Sequence, residues 1–598
     1  MKLTRRSVCL TAAGAAAHSV LSQRARGQTK AAKSIEDFFR EFTDEWVRNN
    51  PGLATSTHYF TGEEQDRLER ELAPITLAEA RKRINLARKG LAELRGFDRS
   101  RLSETQRLSA DVMEWQLNIV VQEEPFLDYS FPLEQMNGFN VGAVERFTVS
   151  RAITKLRDAE NYVAALGQVG ARMEEANAEA KRLQAKGTIP PKFILQATIK
   201  QMQSFVDPSP GQSPFVTAFA DKMAAVAAIP TAKREELRAA AEKIVATQIY
   251  PSWKKATATL QTQLPRSTDD AGLWRLKGGA EAYAFFLKRY TTTELSAEQI
   301  HEIGLRQVAT LEAQMDTLFR KLGRTDGSVK DRTEKLRLDL QYPNPTSEAS
   351  RAQIMKDLDA IVRDAEKRAA LLFDKRPKAP VVVQPFPAFR EANAAANYNA
   401  PPPDGSRPGT VQYPRRIERM TKFGLRTLAY HEAVPGHHFH IALQVENPEL
   451  PRFMQIRALG GLSAITEGWG LYAERLAAES GWYDGDVEGL LGQLSDELWR
   501  ARRLVVDTGL HAKHWTRQQG IDYGIEASEV ERYTVYPGQA CSYMIGQLKI
   551  LELRDKAQKA LGPKFSLREY HNVVLNTGSV PLNLLERQVD AYIARTKG

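Results

Sequence analysis

The sequence predicts a mainly α protein: a large helical body with a small β ribbon or sheet set into it. Three observations carry that prediction. From Ser34 to about Arg320, apolar residues recur every three or four positions, the period of a helix packed along one face. One stretch, Arg376 to Pro414, breaks this rhythm with β-branched runs among prolines and glycines. Hydrophobic residues make up 42% of the 598 and charged residues 26%, which excludes a disordered chain and leaves apolar surface for a sizeable core.

The first element is an address. Thr4-Arg5-Arg6-Ser7-Val8 holds a twin-arginine pair, an Ala-rich apolar run follows from Cys9 to Leu21, and small and polar residues lead to Gly27. That order is expected of a Tat-type signal peptide over residues 1–27, and it predicts an exported protein, periplasmic or extracellular. Cys9 lies in this segment, so Cys541 would stand alone in the mature chain with no internal disulfide. Removing the five basic residues Lys2, Arg5, Arg6, Arg24 and Arg26 lowers the net charge from +10 to +5. The remaining charges mix signs along helical stretches, so nucleic acid is not an expected partner. Apolar runs after the signal fall short of the roughly 20 residues of a membrane span. The sequence carries no signature of an oligomeric state.

Residues 28–375 form the next region, mainly helical. Ser34 caps a helix with aromatics at helical spacing, and the stretches Leu77–Leu94 and Phe215–Ile249 follow the same pattern. Breaks fall at Asn50-Pro51-Gly52, Thr188-Ile189-Pro190-Pro191 and Asp207-Pro208-Ser209-Pro210-Gly211. Scaffold and cavity wall are the expected roles. Residues 376–598 follow as the catalytic region, continuous with the preceding body. It opens with the ribbon, about 380–414. Val381-Val382-Val383 and Thr410-Val411-Gln412-Tyr413 are β-favouring, with Pro385, Pro387, Pro401-Pro402-Pro403, Asp404-Gly405 and Pro408-Gly409 between and around them.

Chemistry concentrates at residues 431–440. Four of the ten histidines, His431, His437, His438 and His440, lie in this stretch, with Glu432 beside the first. Imidazole is the commonest protein ligand for zinc, and a carboxylate next to a ligand can act as general base on water at the metal. A plain zinc helix carries His-Glu-x-x-His, but here Pro435 stands four residues after His431. The next histidines come at i+6, i+7 and i+9. On a straight helix, i+7 sits about 10 Å along the axis, too far for two nitrogens each about 2.1 Å from one zinc. Pro435 cannot make the helical hydrogen bond, and Gly436 permits unusual backbone angles. The pair is therefore expected to break the helix and loop out the extra residues.

A third ligand is expected downstream. Thr466-Glu467-Gly468-Trp469-Gly470-Leu471-Tyr472-Ala473-Glu474 places two acids seven apart, on one helical face. Glu467 is the expected third ligand, with the fourth position left for water. Glu474 is expected behind it, holding a ligand histidine through its other ring nitrogen.

These stretches, with Asp507-Thr508-Gly509-Leu510-His511, Trp515 and Tyr533 to Gly546, resemble the DUF885 family of bacterial proteins. The resemblance covers most of the mature chain and is sharpest from about 420 to 550. That family is placed among gluzincin-type metallopeptidases, which implies a metallopeptidase-like helical body with a deep central cleft. Glu467-Gly468 also resembles the Asn-Glu-Gly-Phe motif of zinc aminopeptidases, whose Glu binds zinc. Gly436-His437 resembles the Gly-His that closes the zinc helix in related families, which implies His437 as second ligand, with His438 as the alternative. The C-terminal match implies an oxyanion donor, Tyr543 first, Tyr536 second, with His511 a further candidate. Arg502 and Arg503 are candidates to hold a substrate carboxylate. Thr410–Tyr413 is a candidate edge strand for an extended peptide, as in related metallopeptidases.

The expected function is that of a hydrolase: a zinc metallopeptidase, or protease, of short peptides, with Zn²⁺ as cofactor. His431, His437 and Glu467 hold the metal, Glu432 is the general base and Tyr543 steadies the oxyanion. The alternatives are an exported peptide- or metal-binding protein with a non-catalytic site, a helical scaffold with a structural metal, and a hydrolase of a non-peptide amide.

Overall fold

The computed structural model describes residues 33–386, 391, 395–403, 405 and 407–598. The expected signal peptide, and Pro387 and Asp404 of the ribbon, lie outside the described residues.

The fold is mainly α, and local chemistry starts many of its helices. Ser34 Oγ accepts the Asp37 N–H at 3.1 Å and opens α1, Ile35–Arg48, whose Phe38, Phe39, Phe42 and Trp46 are all buried. Reciprocal Ser-Gln capping boxes open α2, Glu104–Gln122, and α3, Ala297–Lys321. The later helices that matter for the site are α4, Leu425–Glu432; α5, Ser463–Glu479; α6, Val487–Ala512; α7, Ser542–Leu561; and α8, Leu582–Lys597.

Two crossings are tighter than ordinary side chains allow. α3 lies on α6 at Gly304, where a Cβ would stand 2.7 Å from Val505 Cγ2. α5 crosses α7 at Gly468 and Gly546, and a Cβ on Gly546 would stand 1.8 Å from the Ala464 carbonyl oxygen. The absence of side chains at these points lets the backbones meet.

The principal hydrophobic core takes Phe38 from α1, Met113 from α2, Met315 from α3, Tyr430 from α4, Trp469 from α5, Leu498 from α6, Met544 from α7 and Leu585 from α8. It thus draws on both sides of residue 375. Phe39 packs on Phe453 with ring centroids 5.5 Å apart, and the Trp46 indole donates to Ala458 O at 3.0 Å across 412 residues of sequence. A second core gathers Phe147, Tyr162, Met173, Phe215, Phe219 and Trp253. Among the described residues no helix is long and apolar enough to cross a membrane.

The β segment is a three-stranded sheet in the order β1-β3-β2. β1, Val381–Pro385, pairs in parallel with β3, Gly409–Tyr413, and β2, Asn397–Asn399, pairs antiparallel with β3. The small sheet is as expected. One expectation is corrected: Thr410–Tyr413 lies in the central strand, so it has no free edge for a peptide. The third strand escaped prediction because Asn-Tyr-Asn has little β preference of its own.

Candidate metal centre

α4 carries His431 and Glu432 in its last turn and ends there. Ala433, at φ −105° and ψ −94°, leaves the helix, the Val434-Pro435 bond is cis, and helical structure resumes at His437, ahead of a π turn at His438–Ala442. The Trp469 indole donates to Pro435 O at 2.9 Å and pins this loop. Gly436 folds back so closely that a Cβ would stand 1.9 Å from His431 O. The extra residues are looped out, as the spacing required, and the rings of His431 and His437 meet at 4.6 Å between centroids, nearly perpendicular at 81°.

α5 supplies the other half. Glu467, Gly470 and Glu474 share one face of it, at i, i+3 and i+7, and the His431 ring lies along that face. Gly470 is beneath the ring, where a Cβ would stand 2.7 Å from Cε1. Glu474 Oε1 is 2.6 Å from His431 Nδ1, and Glu467 Oε2 is 3.6 Å from His431 Nε2 and 3.4 Å from His437 Nε2. Donor atoms each about 2.1 Å from a tetrahedral zinc stand roughly 3.4 Å apart, close to the two distances from Glu467 to the histidine nitrogens. Glu432 offers an oxygen that groups with the histidine nitrogens within 4.8 Å.

Buried charges govern the site. Burial pushes Glu432 up, against the pull of His437 and His431. Burial would lower His431, but Glu467 and Glu474 outweigh it and raise the imidazole to about 10. Burial would raise Glu467, yet His437 and His431 hold it well below the usual carboxylate range. Without a metal the acids keep a proton on the imidazole, and a cation would take over that charge.

The remaining predicted residues separate clearly. His438 turns towards the sheet, with Nδ1 3.0 Å from the Tyr398 hydroxyl of β2, which leaves His437 as the histidine at the site. Tyr543, at the start of α7, is enclosed by protein, and burial and the Glu467 charge both raise its hydroxyl. Its ring stacks against Arg503, whose Cζ lies 4.5 Å from the ring centroid and 3.8 Å from that of Trp499. Tyr536 packs on Tyr290 at 5.0 Å. His511 is corrected. Its Nδ1 accepts from Leu273 N–H at 3.1 Å and its Nε2 donates to Tyr533 O at 3.0 Å, so neither nitrogen is left for substrate. Arg502 is paired with Glu312 at 2.8 Å, whereas Arg503 gives only Nη2 to Glu529, at 2.9 Å, and its Nε and Nη1 are buried without a hydrogen-bond partner.

Sequence reasoning missed Arg500. Its Nη2 lies 3.7 Å from Glu474 Oε1 and its Nη1 3.4 Å from Asp496 Oδ1. The i, i+4 spacing of Asp496 and Arg500 was the available signal.

Residues 51–589 match the family model described as "Bacterial protein of unknown function (DUF885)". Two solved structures share the fold, each described as a "putative lipoprotein". The one from Colwellia psychrerythraea is 30% identical, with a TM-score of 0.89 over 94% of this chain and 100% of its own. The one from Shewanella oneidensis is 17% identical, with a TM-score of 0.68 over 93% of this chain and 99% of its own. No curated protein matches the sequence.

Proposed function

Starting from the fact that this chain belongs to the DUF885 family, we propose that it is an exported, zinc-dependent peptidase acting on short peptides. The observation that carries the reading is the donor triangle of His431 Nε2, His437 Nε2 and Glu467 Oε2, with Glu432 beside it. A structural zinc takes four protein ligands, whereas three ligands with an adjacent carboxylate suit hydrolysis. The twin-arginine segment supports export, and the lipoprotein description of the similar structures accords with it.

Zinc, when bound, supplies Lewis acidity towards a carbonyl oxygen and towards water. Glu432 takes a proton from the attacking water and returns it to the leaving amine; its burial suits a base that must also be an acid. The Tyr543 hydroxyl donates to the carbonyl oxygen as negative charge develops there. Glu474 accepts from His431 Nδ1 and fixes which nitrogen faces the metal, and Arg500 lies near the same Glu474 oxygen.

The test is elemental analysis of the purified chain together with hydrolysis of a short-peptide library. About one zinc per chain, lost in Glu467→Ala, with peptide turnover in the wild type, is the expected result. Bound zinc without turnover would favour the binding-protein reading, and turnover of non-peptide amides alone would replace the substrate class. No zinc after zinc is supplied would overturn the proposal.

A further inference from the structure

Only one edge of the Arg503 guanidinium meets an acid. Its Nη2 lies 2.9 Å from Glu529 Oε2, while Nε and Nη1 are sealed from solvent with no hydrogen-bond partner. The residue is 4% exposed, so a substrate carboxylate has no access to those nitrogens. What lies against the guanidinium is a pair of aromatic rings. Its Cζ stands 3.8 Å from the Trp499 ring centroid and 4.5 Å from that of Tyr543. The negative faces of the rings offset the charge that no second acid meets. Trp499 lies one turn back on the same helix, α6, and Tyr543 comes from α7. The guanidinium is thus the layer through which α6 meets the Tyr543 ring.

That layer is itself held. Glu529 takes Nη2 of Arg503 and also the Nε and Nη2 of Arg532, at 3.1 and 3.0 Å. Arg532 Nη1 donates to Gln539 Oε1 at 2.5 Å, in the turn just ahead of α7. The backbone under Tyr543 is fixed as well. Ser542 Oγ is 2.7 Å from the Oγ of Ser463, which stands one turn before Glu467 on α5. A Cβ on Gly468, beside Glu467, would stand 2.5 Å from the Gly546 carbonyl carbon. The crossing of α5 and α7 therefore sets where the Tyr543 backbone stands relative to Glu467. It does not set the rotation of the Tyr543 side chain about its own bonds, and a stacked planar group is what can.

We propose that Arg503 is a positioning residue for Tyr543: clamped by Glu529 and backed by Trp499, it holds the phenol ring in the one orientation that the oxyanion role requires. This rests on the peptidase reading for what Tyr543 does, but where the ring stands can be measured without turnover. It also accounts for arginine at this position, because lysine carries the charge without a plane to stack.

The test compares Arg503→Met and Arg503→Lys with the wild type, all as full chains supplied with zinc. Arg503→Met keeps a long stem and leaves Glu529 paired with Arg532. Arg503→Lys keeps the charge and serves alone if the methionine variant does not fold. In both, kcat for a short peptide is expected to fall roughly tenfold to a hundredfold at unchanged zinc content, since a misplacement of about 1 Å can cost about 10²-fold. In a Tyr543→Phe background the same substitutions are expected to cost less than about twofold, because the hydroxyl they act through is gone. Equal losses in the two backgrounds, or full activity in Arg503→Lys, overturn the proposal. Crystal structures of the wild type and the variants give the second readout. The Tyr543 ring is expected to leave its place while the α5 and α7 backbones keep theirs. A ring that stays as in the wild type overturns the proposal whatever the kinetics. A fully active Tyr543→Phe counts against the oxyanion role, and a wild type without peptide turnover counts against the peptidase reading. In either case the ring position still decides whether Arg503 sets it.

Discussion

Glu474 Oε1 lies 2.6 Å from Nδ1 of His431, while Glu467 faces the other nitrogen of the same ring. One carboxylate therefore orients the imidazole that the other faces at the proposed metal site. Replacing such a partner commonly costs roughly 10- to 100-fold in metal affinity. Glu474→Ala should show that loss in competition with a chromophoric chelator. Unchanged affinity would mean that Glu474 only fills space.

Glu432→Gln removes a base and keeps nearly the same shape. Zinc content should stay at the wild-type level, while kcat falls by roughly 10²- to 10⁴-fold, the span of general acid–base catalysis. A fully active variant would exclude the mechanism, and a metal-free one would make Glu432 a ligand.

Tyr543→Phe keeps the ring stacked on Arg503 and deletes the hydroxyl. Loss of one oxyanion donor costs roughly 10²- to 10³-fold in kcat. KM and the melting temperature should change little. If Tyr536→Phe lowers kcat and Tyr543→Phe does not, the assignment is reversed.

Glu529 bears on acid stability. Burial would raise its carboxyl, but Arg503 and Arg532 hold it down to about 2, against the usual 4.5. A depressed carboxyl stabilises the fold fully above pH 4.5 and loses that contribution as pH falls towards 2. Glu529→Gln leaves two buried arginines without their counter-charge, a cost of about 3–5 kcal/mol. The stability gap between wild type and variant, read from urea unfolding, should be flat above pH 4.5 and should narrow below it. A gap that widens in acid would contradict the assignment.

Two glycines should separate site from scaffold. A methyl at Gly470 meets the His431 ring, whereas one at Gly546 meets the Ala464 carbonyl. Gly470→Ala should lower zinc affinity more than stability. Gly546→Ala should lower stability by about 1–3 kcal/mol or more, as overpacking does. Similar effects of both on zinc and on melting would deny that division.

The helical body was legible because its signals are local: Ser34, Ser103 and Ser296 cap helices whose apolar faces repeat at helical spacing. The break at Pro435-Gly436 was legible for the same reason, as was the shared face of Glu467 and Glu474. What spacing did not contain was pairing at long range. The choice of His437 over His438 depended on which histidine the Tyr398 strand engages. His511 looked available until Leu273 and Tyr533 took both its nitrogens. Arg502 and Arg503 look alike in sequence, and only the structure shows Arg502 paired with the distant Glu312 while Arg503 keeps two buried nitrogens without a partner.

The contact between Trp46 and Ala458 also sets an order of events in the cell. α1 leaves the ribosome early, yet the segment that covers its aromatic face is made 412 residues later. Asp111 of α2 waits longer still, for Arg587 of α8. A half-made chain can pack Phe38 on Phe97 and Phe42 against Gly90, but it shows Phe39 and Trp46 without Phe453 and the Ala458 carbonyl, a surface that invites aggregation and chaperone capture. Completion of that face thus waits until residue 458 has been made. A nonsense change that removed α8 would cost not only a tail but also the Asp111–Arg587 pair that ties it to α2.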